Sequence, residues 1–393
     1  MEFRNLTPFS VMAYAMDDKQ NKRHHVIAMK IGYRLVQDAE GQWLAQLMEN
    51  PALPLSVKDV FLGEVNRSPV LCESDLAPFK PACDIIVNGT ARAPGGIATS
   101  EMTAGICLRT SSDAVLLDKR LRITGQRYFR QQALTGQWYE TKPEPFTSLR
   151  LDYRSAFGGE CRVEADSEYA ERVPNENRLT DAQRSEHPDK NNPPLAHAFC
   201  PTNPLGQGYS PPWYLDACGI KSVEAPRIIA VDAPFTLHHF TDAVSGKADW
   251  SAPAFRPAGF GVIGRTWLPR LPLAGTYDDA WLNNRHPALP DDFEFSYWNC
   301  APQAQQLPFL APGTKITLSG LRSDGDISFS LPASRAGILL RMTSGELIPQ
   351  MMWTDTLLVD TDELTVEQTC RYVLPVAPSL RVMEARYYIS GEL

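Results

Sequence analysis

The sequence predicts a mainly β protein: antiparallel sheets or a sandwich built from hairpins, with long ordered loops and few short helices. Three observations carry this. In the last quarter of the chain, short runs of alternating apolar and polar residues follow one another across turn signals. The 32 prolines, roughly 8% against a usual ~5%, are spread along the chain and shorten any helix they enter. Hydrophobic residues make up 43% of 393 residues, enough for a sizeable core.

From the N-terminus, residues 9–16 are mostly apolar, and Ala13-Tyr14-Ala15 imitates a signal-peptidase site. The stretch is short, contains Ser10, and follows a Glu2 that offsets Arg4, so export by a signal peptide is not expected. Residues 25–48 predict a hairpin: the run Val26-Ile27-Ala28-Met29, alternation through Ile31, Tyr33 and Leu35, a turn at Asp38-Ala39-Glu40-Gly41, and a second strand from Trp43. In 74–96, Pro78 and Pro81 fix an extended lead-in to a strand over 84–88 that ends at Asn-Gly, and Pro94-Gly95-Gly96 stops it. A second hairpin is predicted over 114–125, with Leu121 and Ile123 alternating with Arg120 and Arg122 after an Asp118-Lys119 turn. Thr147, Leu149, Leu151 and Tyr153 share one face of a further strand by period-two spacing.

Between residues 158 and 254 periodicity fades, and 184–194 has the polar, Pro-rich make-up of an exposed loop. This span reads as short strands and ordered loops held down by Trp213, Tyr214, Phe235 and Phe240. One helix is predicted over 279–284, capped by Thr276 or Asp278 and ended by Pro287. After it, Ile316 and Leu318 face Ile327, Phe329 and Leu331 across Ser323-Asp324-Gly325, and 338–342 meets 347–353 across Ser344-Gly345. Strands over 356–359 and 364–373 flank Asp360-Thr361-Asp362, and 380–389 supplies the last. These elements group as a β-rich part (1–157), a loop-rich middle (158–310) and an antiparallel β part (311–393), which can equally form one continuous unit.

Formal charge is -8, and basic residues adjoin only in short pairs such as Lys22-Arg23 and Lys119-Arg120, so nucleic acid is not an expected partner. No apolar run approaches the ~20 residues of a membrane-spanning helix, and the chain is expected to be soluble. The eight cysteines lie at least 11 residues apart, which excludes C-x-x-C metal or redox sites and reads as free thiols.

Individual motifs carry little chemistry. Gly259-Phe260-Gly261-Val262-Ile263-Gly264 satisfies G-x-G-x-x-G, but Pro253 and Pro257 precede it and Pro269 follows, where a dinucleotide site needs a strand and a helix. Asp278-Asp279, Asp291-Asp292 and Glu294 invite a paired-carboxylate hydrolase, but helix capping and polar-loop roles explain these positions without chemistry. His24-His25 and His238-His239 diverge if each pair lies on a strand, and only Asp242 could add a local ligand to the second. Neither a G-x-S-x-G elbow nor a Walker sequence occurs.

The wording of larger stretches is more individual. Asn5-Leu6-Thr7-Pro8-Phe9, the segment 74–96, Tyr153-Arg154-Ser155-Ala156-Phe157-Gly158-Gly159, Asn203-Pro204-Leu205-Gly206-Gln207-Gly208-Tyr209 and the run 257–306 follow one another in a fixed order. This set resembles the domain of unknown function 2169 family, whose members accompany bacterial type VI secretion systems. Gly219-Ile220-Lys221-Ser222-Val223-Glu224-Ala225-Pro226 departs from the Leu-Pro-Asn-acidic segment that relatives place there.

The resemblance implies a cytoplasmic adaptor or chaperone that stabilises a secreted effector or its PAAR-like tip domain and helps load it on the spike protein. It implies no catalytic, cofactor or metal residues. Structural or partner-binding roles fall to Asp75, Lys80, Asp84, Gly89, Phe157, Gly158, Gly159, Gly261, Trp267, Arg270, Gly275, Thr276, Tyr277 and Trp281. The alternative is a β-sandwich hydrolase with Asp278, Asp279, Asp291 and Asp292 as its acids, which requires carboxyl groups ~5 to 9.5 Å apart in one cleft.

Overall fold

Wherever a turn joins two alternating runs, the alternation becomes a paired strand. The computed structural model describes residues 1–48 and 53–388, with 39% of the chain in strands and 14% in helices. The sheets are mostly antiparallel and, among the described residues, none closes into a barrel. No helix among these residues is long and apolar enough to cross a membrane.

The chain divides into two compact units, the first made of Met1–Thr90, Gly105–Lys119 and Phe260–Leu393, the second of Ala91–Ala104 and Arg120–Gly259. In the first unit the predicted hairpin is present as Arg23–Gln37 and Trp43–Leu47, and its turn is held by Asp38, whose Oδ1 accepts from the N–H groups of Glu40 and Gln42. The long strand is buried on both faces from Val26 to Tyr33, as a central strand should be. It lies between Ser10–Asp17 and Thr365–Pro375. Beyond these, Trp353–Asp360 pairs in parallel with Cys83–Asn88, the strand of the 74–96 stretch.

A second, four-stranded sheet runs Glu2–Asn5, Leu380–Tyr388, Arg335–Met342, Leu347–Met351. It buries Ile338, Leu340, Met383 and Ala385 on one face. Tyr387 of this sheet meets Phe9 edge-on at 4.7 Å. The predicted partners Ile316 with Phe329 and Leu318 with Ile327 stand opposite each other, as expected.

In the second unit, Phe129 stacks on Phe240 and Phe157 on Phe235, each at 4.4 Å, and Phe255 closes the cluster. Trp213 and Tyr214 pack against a separate group of Val163, Val173, Ala196 and Ala217. The aromatics named from sequence thus anchor this loop-rich region, together with helices Asp181–Glu186, Pro212–Cys218 and Leu237–Val244.

Several expectations need correction. The 114–125 hairpin is one strand, Val115–Thr124, and the turn lies earlier, where Thr110 N–H donates to the Ala114 carbonyl and Asp113 takes φ +65°. Leu117, Leu121 and Ile123 keep period two straight through Asp118-Lys119, so the charges there mark a solvent-facing position and its neighbour rather than a turn. The strand over 147–153 shrinks to Ser148–Arg150, because the Asp152 carboxylate accepts from Arg154 N–H and turns the chain into a short 3-10 segment, Tyr153–Ser155. The loop over 184–194 begins inside helix Asp181–Glu186, which a Thr180/Gln183 capping box starts. His238-His239 lies on a helix, not a strand. The strand over 347–353 ends at Met351, and Trp353 opens the next strand, in the other sheet. Residue Ile389, predicted to end the last strand, lies outside the described residues.

Gly89 follows the Cys83–Asn88 strand, and a Cβ there would fall 1.9 Å from Thr361 Oγ1. Thr361 N–H donates to the Asn88 carbonyl at 3.0 Å, which holds that neighbour in place. Gly89→Ala is expected to destabilise by about 1–3 kcal/mol through overpacking. Urea unfolding checks this, and Thr361→Gly in the same chain should restore the midpoint.

Candidate functional site

Residues 73–90 and 260–306, which hold the larger parts of the 74–96 stretch and the 257–306 run, are stitched together inside the first unit. Asp84, fully buried, accepts from Cys300 N–H on Oδ2 at 3.0 Å and from Ala301 N–H on Oδ1 at 3.1 Å. Lys80 donates to Asp84 Oδ2 and to Thr356 Oγ1, each at 2.8 Å. Gln305 Nε2 donates to the carbonyls of Ile85 and Phe260, and Asn299 Nδ2 to that of Ala82. Arg270 grips Glu73 with both terminal nitrogens at 2.6 and 3.1 Å and also donates to the carbonyls of Ile263 and Tyr297. Planar guanidinium and carboxylate groups suit such a two-point clamp.

Asp75 extends the network. Its carboxylate accepts from Ser56 N–H, from Thr369 Oγ1 and from Lys30 Nζ at 2.8 Å, and Lys30 reaches Glu367 at 3.0 Å. Arg371 pairs with Asp355 at 2.5 Å and donates to Tyr14 and to the Asp75 carbonyl. Burial works against the charge on Lys30, Lys80, Arg270 and Arg371, yet the carboxylates beside them hold all four above their ordinary values. Burial pushes the Cys72 thiol up to about 12 and drives Cys83 and Cys300 well above the usual range, so these thiols stay protonated. The cavity among Lys30, Asp75, Lys80 and Arg371 measures about 20 Å³, the size of one water molecule rather than a substrate.

The second unit holds a separate lock. Asn203, fully buried, donates from Nδ2 to the carbonyls of Tyr153 and Phe157, and its own carbonyl accepts from Gly159 N–H at 2.8 Å. Gly158 has φ +148° and lies parallel to Gly208. The two sequence stretches around Phe157 and Asn203 are therefore the two sides of one clasp.

A family model described as "Uncharacterized protein conserved in bacteria (DUF2169)" matches residues 20–371. The chain belongs to the DUF2169 family. No curated protein and no solved structure matches it.

Of the residues that the DUF2169 wording singles out, Asp75, Lys80, Asp84 and Arg270 enter the buried ionic network. Phe157, Gly158 and Gly159 form the clasp of the second unit. Gly89 and Gly261 lie in the first unit outside both, Gly261 in the loop between the buried residues Phe260 and Val262. Trp267, also buried, has its indole within 2.8 Å of where a Gly264 Cβ would stand. Gly275 (φ +79°), Thr276, Tyr277 and Trp281 form a local knot, in which Asp292 accepts from Thr276 N–H and Oγ1 and Trp281 Nε1 donates to the Ala288 carbonyl. Tyr277 meets Trp281 edge-on at 4.7 Å and is itself exposed.

Three of the four proposed acids are spent locally. Asp278 caps helix Asp279–Asn284 by accepting from Trp281 N–H at 2.8 Å, Asp291 pairs with Arg285, and Asp292 binds Thr276. Gly259 to Gly264 is a loop that neither follows a strand nor opens a helix. His238 contacts only Asp242 as an ion-pair partner, His239 caps Thr236, and no group of three or more His, Cys, Asp or Glu able to hold a metal occurs among the described residues. All eight cysteines are free.

Sequence reasoning missed a charge cluster on the outer face of the four-stranded sheet. Glu384 receives Arg341 at 2.7 Å and Arg386 at 2.6 Å, with Arg4 at 3.7 Å and Glu2 beyond it. Hydrogen bonds from Arg341 and Arg386 hold the Glu384 carboxyl down at about 2. Its folded value lies below its unfolded value, so its stabilisation is present above about pH 4.5 and is lost as pH falls toward 2. The melting-temperature gap between wild type and Glu384→Gln is therefore expected to be widest near neutrality and to close across that window in a pH series of thermal melts.

Proposed function

We propose that this DUF2169 protein is a cytoplasmic adaptor or chaperone that binds and stabilises a type VI secretion effector or its PAAR-like tip domain and aids its loading on the spike. Besides the family wording, one observation supports the reading. The ionisable motif residues are engaged in holding the first unit together, while Leu347, Met351 and Trp353 remain exposed at alternate positions along one stretch of chain. Rigid sheets with exposed apolar rows are what a folded protein partner can grip.

The hydrolase alternative draws no comparable support, since Asp278 and Asp292 accept from backbone N–H groups and Asp291 pairs with Arg285. Deleting this protein from its host is expected to lower the steady-state amount of the effector encoded beside it, with effector transcript unchanged, as read by immunoblot against mRNA. Unchanged effector abundance counts against the proposal.

A further inference from the structure

We propose that the outer face of the four-stranded sheet seats an acidic polypeptide segment of the partner, which places one large apolar side chain in the pocket beside Trp353. The inference rests on the adaptor reading and assigns it a surface. Strand register places Leu339 opposite Pro349 and Arg341 opposite Leu347, with Glu384 and Val382 next to them on the adjoining strand. Leu347 is 51% exposed and Met351 37%. An apolar row of Leu347, Pro349 and Met351 thus lines the edge strand of a face whose neighbouring strands carry Arg335, Arg341, Glu384 and Arg386.

Those charges are unbalanced. Arg4, Arg335, Arg341 and Arg386 lie on this face against Glu2 and Glu384, four positive to two negative, on a chain whose net charge is -8. The side chains of Arg4, Arg341 and Arg386 stay one-third to nearly one-half open to solvent while bound to Glu384, and each guanidinium carries more donors than these pairs use. Complementary charge steers and orients a protein partner. Phosphate-bearing ligands would also meet arginines, but the apolar row on the strand beside them favours a polypeptide.

The pocket supplies the anchor. It measures about 290 Å³ and is lined by Phe309, Leu331, Arg335, Met351 and Trp353, among others. Trp353, 57% exposed, stacks on Phe309 at 5.7 Å. Met351 and Arg335 belong to both face and pocket, so the two are continuous. Buried apolar anchors of this kind dominate interface energetics.

Strand addition at the sheet edge is disfavoured. Met352 N–H donates inward to Ala336, so by alternation the N–H positions of Leu347, 349 and Met351 face outward. The middle one is Pro349, which has no donor and interrupts the ladder a guest strand would need. The guest must lie across the face.

Random peptides displayed on phage and panned against the full-length protein test this, alongside co-purification of the neighbouring effector. Enriched peptides are expected to be acidic with a large apolar residue, and to bind at least about tenfold more weakly to Met351→Asp, Arg335→Glu and Trp353→Ala proteins with wild-type melting temperatures. No enrichment, or enriched peptides that bind the variants as well as wild type, overturns the surface. If the effector co-purifies equally with wild type and variants, the surface is wrong and the adaptor reading stands. If it co-purifies with neither, the adaptor reading itself falls.

Discussion

Lys80→Met is expected to lower the stability of the protein by about 3–5 kcal/mol, because it leaves Asp84 as an uncompensated buried charge. Asp84 is fully buried and cannot turn to water. It retains the Cys300 and Ala301 N–H donors, which is less than an ammonium at 2.8 Å supplies. Lys80→Met/Asp84→Asn removes both charges while keeping an acceptor for one N–H, and should recover a substantial part of the loss. Urea unfolding of wild type, Lys80→Met, Asp84→Asn and the double variant gives the coupling directly. Because the Lys80 value is raised in the folded state, its contribution is whole below the ordinary lysine range, about pH 10.4, and fades only as pH rises above it. Equal destabilisation by the single and double variants would contradict the assigned pairing.

Gly158→Ala is expected to cost more than about 3 kcal/mol, a loss that belongs to the second unit. A Cβ would fall 2.1 Å from the Asn203 carbonyl oxygen, and φ +148° is a conformation that side chains rarely adopt. Asn203 cannot retreat without giving up its bonds to Tyr153, Phe157 and Gly159. Hydrogen exchange should show faster amide exchange across 153–159 and 200–209, with the strands of the first unit unchanged. Uniform acceleration over both units, or none, would refute the clasp.

The contrast between these two sites and the hairpins explains what was legible. The turn at Asp38 joins residues a few positions apart, and Ile316 meets Phe329 within a single hairpin, so period two and turn chemistry suffice. The helix cap at Asp278 was readable for the same reason. Arg270 and Glu73 lie 197 residues apart, and Lys30 and Glu367 farther still, so no local pattern announces their pairing. Asp118-Lys119 misled because two charges in sequence imitate a turn when only one of them faces solvent. The individual wording of 74–96 and 257–306 was visible from the outset, whereas its physical cause, one shared set of buried donors and acceptors, required the two stretches to be seen together.

The proposed adaptor role is tested most directly by a pull-down of the tagged protein from cells co-expressing candidate effector and spike genes from its host. Stoichiometric recovery of a PAAR-like effector, abolished when its tip domain is removed, is the expected result. An effector that is stable alone and never co-purifies with this protein would contradict the account.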